Sequence, residues 1–341
     1  MKITTIGIDL AKTVFQIHGV DSHGKTVLRK KLDRSRMLEF FIKLEPCLIG
    51  MEACGSAHYW ARKLVEMGHT VKLMAPQFVK PYVKTNKNDV ADAEAICEAV
   101  SRPNMRFVPI KTELQQAVLS LHRVRQGFVR ARTAQCNQIR GLLSEFGVII
   151  APGRTSIAKR LPEIMERTDL PGSFRHLLQR LYDQLKGLDQ QIDEMDANIE
   201  QWHRESEVSR KLTEIPGIGP ITATALLASI GDAKNFKNGR QLAAWLGLVP
   251  RQHSSGGKSV LLGISKRGDT YLRTLLIHGA RAVIRFADSK PSNCWINKLL
   301  ARKNKNVAAV ALANKNARIV WVLLTQQEQR FRPDYVPAVA A

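Results

Sequence analysis

Asp89 and Asp92 stand three residues apart within Asn86-Lys87-Asn88-Asp89-Val90-Ala91-Asp92-Ala93-Glu94-Ala95, an alanine-rich run that predicts a helix. Side chains at i and i+3 share a helix face about 5–6 Å apart, so both carboxylates can enter one pocket. Two adjacent carboxylates repel unless a cation lies between them. The plainer alternative is a solvated first turn, where Asp favours the positive helix N-terminus. Two further acids, Asp9 and Glu52, each close a short apolar run. Singly, Asp9 reads as a turn residue and Glu52 as an exposed acid before Ala53-Cys54-Gly55. Together, four carboxylates at one place need divalent metal, and carboxylate with water suits Mg2+ or Mn2+. Two such ions about 4 Å apart activate a nucleophile and stabilise a leaving oxygen in phosphodiester chemistry.

The elements that would position these acids are legible around them. Residues 3–8 predict a buried strand with Asp9 at its end. Residues 13–20 and 25–32 predict two more strands, joined by the hairpin turn Asp21-Ser22-His23-Gly24. A helix over 38–44 and an apolar strand over 47–51, ending at Glu52, follow. A helix over 56–67 and a strand over 70–74 precede the Asp89/Asp92 helix. Three strands and then alternating strand and helix imply an α/β domain with a mixed sheet, whose carboxyl edge can gather the four acids.

Charge narrows the partner. The 341 residues suggest two or three domains, and 52 Lys+Arg against 30 Asp+Glu give a net charge of +22. Such an excess calls for a polyanion, most simply nucleic acid. From 251 to 341 there are 16 basic and 4 acidic residues, so +12 of the +22 sits in the last 91 positions. No uninterrupted apolar run is long enough to span a membrane, so no membrane partner is expected. The five scattered cysteines contain no Cys-x-x-Cys and read as reduced thiols. With no signal-peptide pattern at the start, a cytoplasmic protein is expected.

Residues 114–146 have helical periodicity, and from 114 to 144 they carry Arg123, Arg125, Arg130, Arg132 and Arg140 with no acid. Arg123/Arg130 and Arg125/Arg132 each repeat at seven residues, close to two helical turns. A solvated face normally mixes signs, so these arginines are read as phosphate contacts. Beyond Gly147 the chain is punctuated by Pro152, Pro162 and Pro171. Then Leu178, Leu181, Leu185, Leu188, Ile192, Met195, Ile199 and Trp202 alternate at three and four residues, the rhythm of a coiled coil. Gly187 inside it weakens the lone helix by about 1 kcal/mol relative to Ala, so the seam needs a partner. Another subunit, giving a dimer or tetramer, is favoured over an intramolecular hairpin.

In the last third, Ile215-Pro216-Gly217-Ile218-Gly219-Pro220 lies between two helical stretches. This is the pattern of a helix-hairpin-helix, whose turn around Gly217 and Gly219 can hold a DNA phosphate on backbone N–H groups. A plain tight turn is the alternative. The block then runs through Gln241-Leu242-Ala243-Ala244-Trp245-Leu246-Gly247-Leu248-Val249-Pro250-Arg251 and His253-Ser254-Ser255-Gly256-Gly257-Lys258 to Leu262-Gly263-Ile264-Ser265-Lys266-Arg267-Gly268-Asp269. By itself the double serine before two glycines reads as a flexible loop.

Gly7-Ile8-Asp9-Leu10-Ala11-Lys12, Met51-Glu52-Ala53-Cys54-Gly55 and Asn88-Asp89-Val90-Ala91-Asp92-Ala93 resemble the DEDD transposases of bacterial insertion sequences. Cys54 stands where Thr or Ser is more usual. The block from 215 to about 282 resembles the C-terminal transposase domain of the same group. The resemblance covers residues 3–325 and implies an RNase H-like, RuvC-like N-terminal domain with Asp9, Glu52, Asp89 and Asp92 as a metal tetrad. It also implies that Ser255, before Gly256, is the nucleophile that attacks DNA. By the same likeness one subunit lends the metal pocket and another the serine. A structured RNA from the element is expected to pair with donor and target DNA.

The expected organisation is a RuvC-like domain with its basic helix over 1–150, a coiled-coil region over 151–205, a mainly helical transposase domain over 206–330 and a tail over 331–341. Arg251, Lys258, Lys266, Arg267 and Arg273 surround the serine loop and are candidates to hold the scissile strand. The helix over 123–140 is the candidate RNA contact. Two rivals stand beside a transposase guided by RNA: a RuvC-like junction-resolving nuclease in which Ser255 is a mere loop residue, and a non-catalytic nucleic-acid-binding protein.

Overall fold

A computed structural model describes residues 2–84, 88–287, 294–326, 328, 330 and 331. Asn86 and Lys87 of the acidic stretch, and residues 332–341 of the expected tail, lie outside the described residues. The chain divides into two compact units, Met1–Glu113 and Leu114–Ala341.

The first unit is built on a mixed sheet. Strands β1 (Thr5–Leu10), β2 (Val14–Val20) and β3 (Thr26–Asp33) form an antiparallel meander. Helix α1 (Met37–Ile42) leads to β4 (Leu48–Glu52), which pairs in parallel with β1. Helix α2 (Ala57–Glu66) crosses to β5 (Thr70–Met74), parallel to β4. The short α3 (Pro76–Val79) precedes α4 (Asp89–Val100), and β6 (Phe107–Val108) closes the order β3-β2-β1-β4-β5-β6. This is the expected mixed α/β sheet and is compatible with an RNase H-like fold.

Strand alternation divides the work of the two faces. Ile6, Ile8, Ile49 and Met51 are fully buried on one side, in a core with Phe15, Trp60, Ala61 and Leu64. Gly7 and Gly50 face the other side, beneath α4. A Cβ on Gly7 would stand 2.2 Å from the Ala93 carbonyl oxygen, and one on Gly50 would stand 2.7 Å from the Val100 Cβ. Only residues without side chains let α4 lie this close to the sheet.

The second unit opens with two long helices, α5 (Glu113–Ser144) and, after α6 (Arg154–Met165), α7 (Gly172–Glu205). They run antiparallel, because Arg125 reaches Asp196 while Arg132 reaches Asp189 and Gln135 donates to the Leu181 carbonyl. Leu178, Leu185, Ile192 and Ile199 of the heptad seam are buried, while Leu181, Leu188, Met195 and Trp202 are half-buried. The seam therefore has an intramolecular partner in α5, the alternative that ranked second to another subunit on sequence.

Helices α8 (Glu207–Leu212), α9 (Pro220–Ile230) and α10 (Gly239–Trp245), the hairpin β7 (Pro250–Gln252) and β8 (Leu261–Ile264), and helices α11 (Thr270–Arg285), α12 (Trp295–Leu300) and α13 (Lys305–Thr325) complete the unit. α9 is apolar on every side and sits in the core, as an all-round hydrophobic helix must. α13 is 21 residues long and is apolar enough to cross a membrane by length and composition. Asn314, Lys315, Asn316 and Arg318 interrupt it, so it is not the uninterrupted apolar run that the sequence was expected to lack. Its Ala308, Ala309, Leu312, Ala313, Ala317, Val320 and Leu323 lie in the core of this unit, which accounts for its composition.

Candidate active site

In the first unit, Asp9 and Glu52 occupy the C-terminal ends of neighbouring parallel strands. The pairing Gly7↔Gly50 and Ile8↔Met51 leads directly to them. Each lies two residues beyond a glycine that faces α4, so each projects from the α4 face of the sheet. Both carboxylates act on one neighbour: burial pushes the Cys54 thiol up, and the charges of Glu52 and then Asp9 push it further.

The direction of α4 brings its acids to the same edge. Cys97 bonds to the Thr5 carbonyl, and Ala93 lies over Gly7. Four helical residues rise about 6 Å, close to the advance of two strand residues. A further turn back from Ala93 therefore carries Asp89 toward the level of Asp9. Asn88 caps the helix by accepting from the Ala91 N–H at 2.8 Å, which fixes where the first turn begins.

Countercharge separates the acids of α4 into two groups. Glu94 meets Arg29 at 3.7 Å, and Glu98 meets Lys84 at 3.0 Å and Arg102 at 2.5 Å. Asp89 and Asp92 have no ion pair among the described residues. Among those residues no group of three or more His, Cys, Asp or Glu side chains is close enough to hold a metal ion. Strand register sets Asp9 and Glu52 at one edge of the sheet, and the direction of α4 turns its first turn, with Asp89 and Asp92, toward that edge. The donor set, carboxylate throughout, fits a hard divalent cation.

In the second unit, Ser255 sits at the tip of the β7–β8 hairpin. Gly256 and Gly257 both have positive φ, 54° and 76°, and Lys258 N–H donates to the Ser255 carbonyl at 3.0 Å. Two successive left-handed residues make a tight hairpin turn that only glycine adopts without strain. The two serines then differ. The Ser254 hydroxyl accepts from Gln252 Nε2 at 3.0 Å and from Val260 N–H at 3.3 Å, binding the hairpin arms together. The exposed Ser255 hydroxyl makes no side-chain hydrogen bond among the described residues.

The basic residues expected around this loop fall into two kinds. Arg251, Lys258, Lys266 and Arg267 are exposed. Arg273 is buried and donates to the carbonyls of Leu246 at 3.2 Å and Arg267 at 3.1 Å and to Thr270 Oγ1, so it ties the base of the hairpin to α11. The glycines of the expected helix-hairpin-helix also split. Gly219 is exposed at the N-cap of α9. Gly217 is pressed on α11, where a Cβ on Gly279 would lie 1.8 Å from the Gly217 carbonyl oxygen. Gly217 thus serves close helix packing.

On α5, Arg123 and Arg130 are exposed. Arg125 makes a two-pronged bond to Asp196, its second prong 3.1 Å, and Arg132 bonds Asp189 at 3.0 Å. Arg140 donates to the Gly153 carbonyl and to Asn137. The countercharge missing from α5 is supplied by α7. Sequence reasoning also missed a buried network beside this pair: His122 Nδ1 lies 3.0 Å from Tyr271 Oη, and its Nε2 lies 3.0 Å from Thr224 Oγ1. Burial pushes His122 down to about 4, helped by Arg125. A single His in a helix carries no sequence signal for such a network.

Comparison with known proteins finds transposases along nearly the whole chain. Residues 6–148 match a family model for the DEDD-type IS110 transposase, and residues 209–294 match that of the IS116/IS110/IS902 transposase family. The chain is 56% identical over 338 residues to a probable family 20 transposase of Pseudomonas aeruginosa, covering 98% of this chain and 100% of the relative. It is 47% identical over 326 residues to the transposase of insertion sequence element IS1328 of Yersinia enterocolitica, covering 95% and 97%. The transposase of IS1111A of Coxiella burnetii is 46% identical over 330 residues, covering 96% and 91%.

Proposed function

The chain belongs to the IS116/IS110/IS902 family of transposases, and we propose that it cuts and rejoins donor and target DNA with Ser255 as nucleophile and a DEDD carboxylate set as metal site. Family membership makes it a DNA-recombining enzyme, and the DEDD-type match suggests dependence on a divalent metal. The observation that carries the serine reading is the contrast at the hairpin tip: Ser254 is engaged in the hairpin and Ser255 is presented.

Asp9, Glu52, Asp89 and Asp92 would hold Mg2+ or Mn2+. The metal, when bound, supplies charge stabilisation to the phosphate and its leaving oxygen. The Ser255 oxygen forms a bond to phosphorus as the bond to one deoxyribose oxygen breaks, and the serine proton ends on the departing hydroxyl. The serine–DNA phosphodiester conserves the bond energy, so the reverse attack by a DNA hydroxyl rejoins strands without ATP. Exposed Arg251, Lys258, Lys266 and Arg267 neutralise the scissile backbone, and Arg123 and Arg130 are the exposed candidates on α5 for the guide RNA. Within a homo-oligomer, one subunit supplies the carboxylates and another the serine.

Cleavage of end-labelled donor DNA with Mg2+ and the element's RNA tests this against the nuclease and the binding protein. Loss of cleavage in both Ser255→Ala and Asp92→Ala supports the serine reading. Cleavage that survives Ser255→Ala leaves a metal nuclease, and no metal-dependent cleavage by the intact chain leaves a binder.

A further inference from the structure

An open cleft of about 270 Å3 in the second unit is lined by Asn238, Gly239, Arg240, Arg318, Trp321 and Val322. It lies at the N-terminal end of α10, whose C-terminal end leads through Gly247 toward the serine hairpin. Beside the cleft, α10 packs closely on α13. A Cβ on Gly239 would lie 2.9 Å from the Arg318 Cα and 3.0 Å from its carbonyl oxygen.

That approach places Arg240, Arg318 and Trp321 around one cleft. Trp321 is fixed, because its indole N–H donates to the carbonyls of Ala233 at 3.1 Å and Phe236 at 3.0 Å. With its polar atom satisfied inside the protein, the half-buried ring offers the cleft an apolar surface only. Arg240 and Arg318 are exposed, and neither has an acidic partner among the described residues. Lys234 and Lys237 extend the positive charge along the loop before α10, also exposed and without an ion pair there.

The geometry points to a binding site for one nucleotide of a single-stranded nucleic acid, its base against Trp321 and its phosphates between Arg240 and Arg318. An aromatic face takes any base, whereas guanidinium forks match phosphate oxygens. An apolar peptide would leave two arginines uncompensated, and a free anion would make no use of the ring. This site is separate from the Ser255 hairpin and does not depend on the reading of its chemistry.

The test is equilibrium binding of the full-length protein to fluorescein-labelled oligothymidylate and oligouridylate across a salt series, without divalent metal. Arg240→Ala/Arg318→Ala changes only exposed side chains. It is expected to weaken binding about tenfold and to lower the slope of log affinity against log salt by about 1.4, the value for two single-strand phosphate contacts. Because Trp321→Ala removes an indole that also ties down two carbonyls, the ring is probed in the unaltered protein. Photocrosslinking with oligonucleotides carrying 5-bromouracil is expected to label the α13 peptide containing Trp321. Loss with oligouridylate alone assigns the site to RNA, and loss with oligothymidylate alone assigns it to DNA. Unchanged affinity and slope with both probes, or crosslinks that omit α13, overturn the proposal.

Discussion

Ala93 lies over Gly7 so closely that a methyl group on the glycine would stand 2.2 Å from the Ala93 carbonyl oxygen. This contact sets the height of α4 above the sheet, and with it the reach of Asp89 and Asp92 toward the edge that carries Asp9 and Glu52. Gly7→Ala must lift the helix or break its backbone hydrogen bonding. A loss of about 2–3 kcal/mol is expected, at the upper end for overpacking a core. Urea denaturation measures it, and DNA cleavage should fall further than stability does.

Asp92→Asn carries the opposite expectation for stability. The carboxylate has no ion pair among the described residues and adds to the acidic edge, so its neutral isostere should leave unfolding within about 0.5 kcal/mol of the parent. Cleavage in Mg2+ should nonetheless drop by about 100-fold or more, the order expected when a group stabilising transition-state charge is lost. Wild-type thermal stability should rise with added Mn2+, and that rise should shrink in the variant.

The two serines at the hairpin should separate cleanly. Ser254→Ala removes the acceptor for Gln252 and for the Val260 N–H, costing about 1 kcal/mol locally while strand cleavage persists. Ser255→Ala removes no such bond and should abolish cleavage at unchanged stability. Circular dichroism melts beside a cleavage assay read both quantities.

Arg125 and Asp196 join α5 to α7, with Arg125 18% exposed and Asp196 38% exposed. Asp196→Asn should destabilise the second unit by about 1–2 kcal/mol, less than for a fully buried pair because water screens the carboxylate. Arg123→Ala and Arg130→Ala, on the open side of the same helix, should leave stability unchanged and weaken RNA binding. Melting curves and filter binding on the same samples tell the two classes apart.

His122 makes stability fall in acid. Its folded pKa is pushed below the ordinary 6.5 to about 4 by burial and then by Arg125. The unfolded chain therefore binds the proton first. The stabilisation is complete above about pH 6.5 and is lost as pH falls toward 4, by at most about 3 kcal/mol. Melting temperatures at pH 7.5, 6 and 5 should decline in the parent and decline less in His122→Gln.

Much of the first unit was legible because its strands are short apolar runs with turn residues between them. Residues 70–74 match β5 fully, and Asp9 falls inside β1 rather than after it only because the strand is displaced by two residues from the expected 3–8. β6, with two residues, has no periodicity to read. The acids were visible as an ordered set, while their approach depends on Gly7 and Gly50 meeting α4 across many residues of chain. The arginines of α5 misled in part for the same reason: Asp196 lies 71 residues beyond Arg125. A local count of charge does not see it. Arg273 was legible as a basic residue near the serine, but its three bonds into the base of the hairpin follow from folding.

Covalent capture tests the central claim most directly. The full-length protein, its element's RNA, Mg2+ and labelled donor DNA are incubated, denatured and digested, and the label is mapped by mass spectrometry. A nucleotide adduct on Ser255 is expected, absent in Ser255→Ala and in Asp92→Ala and retained in Ser254→Ala. Cleaved DNA with no protein-linked label, at the same rate in Ser255→Ala, would contradict it and leave a metal-dependent nuclease.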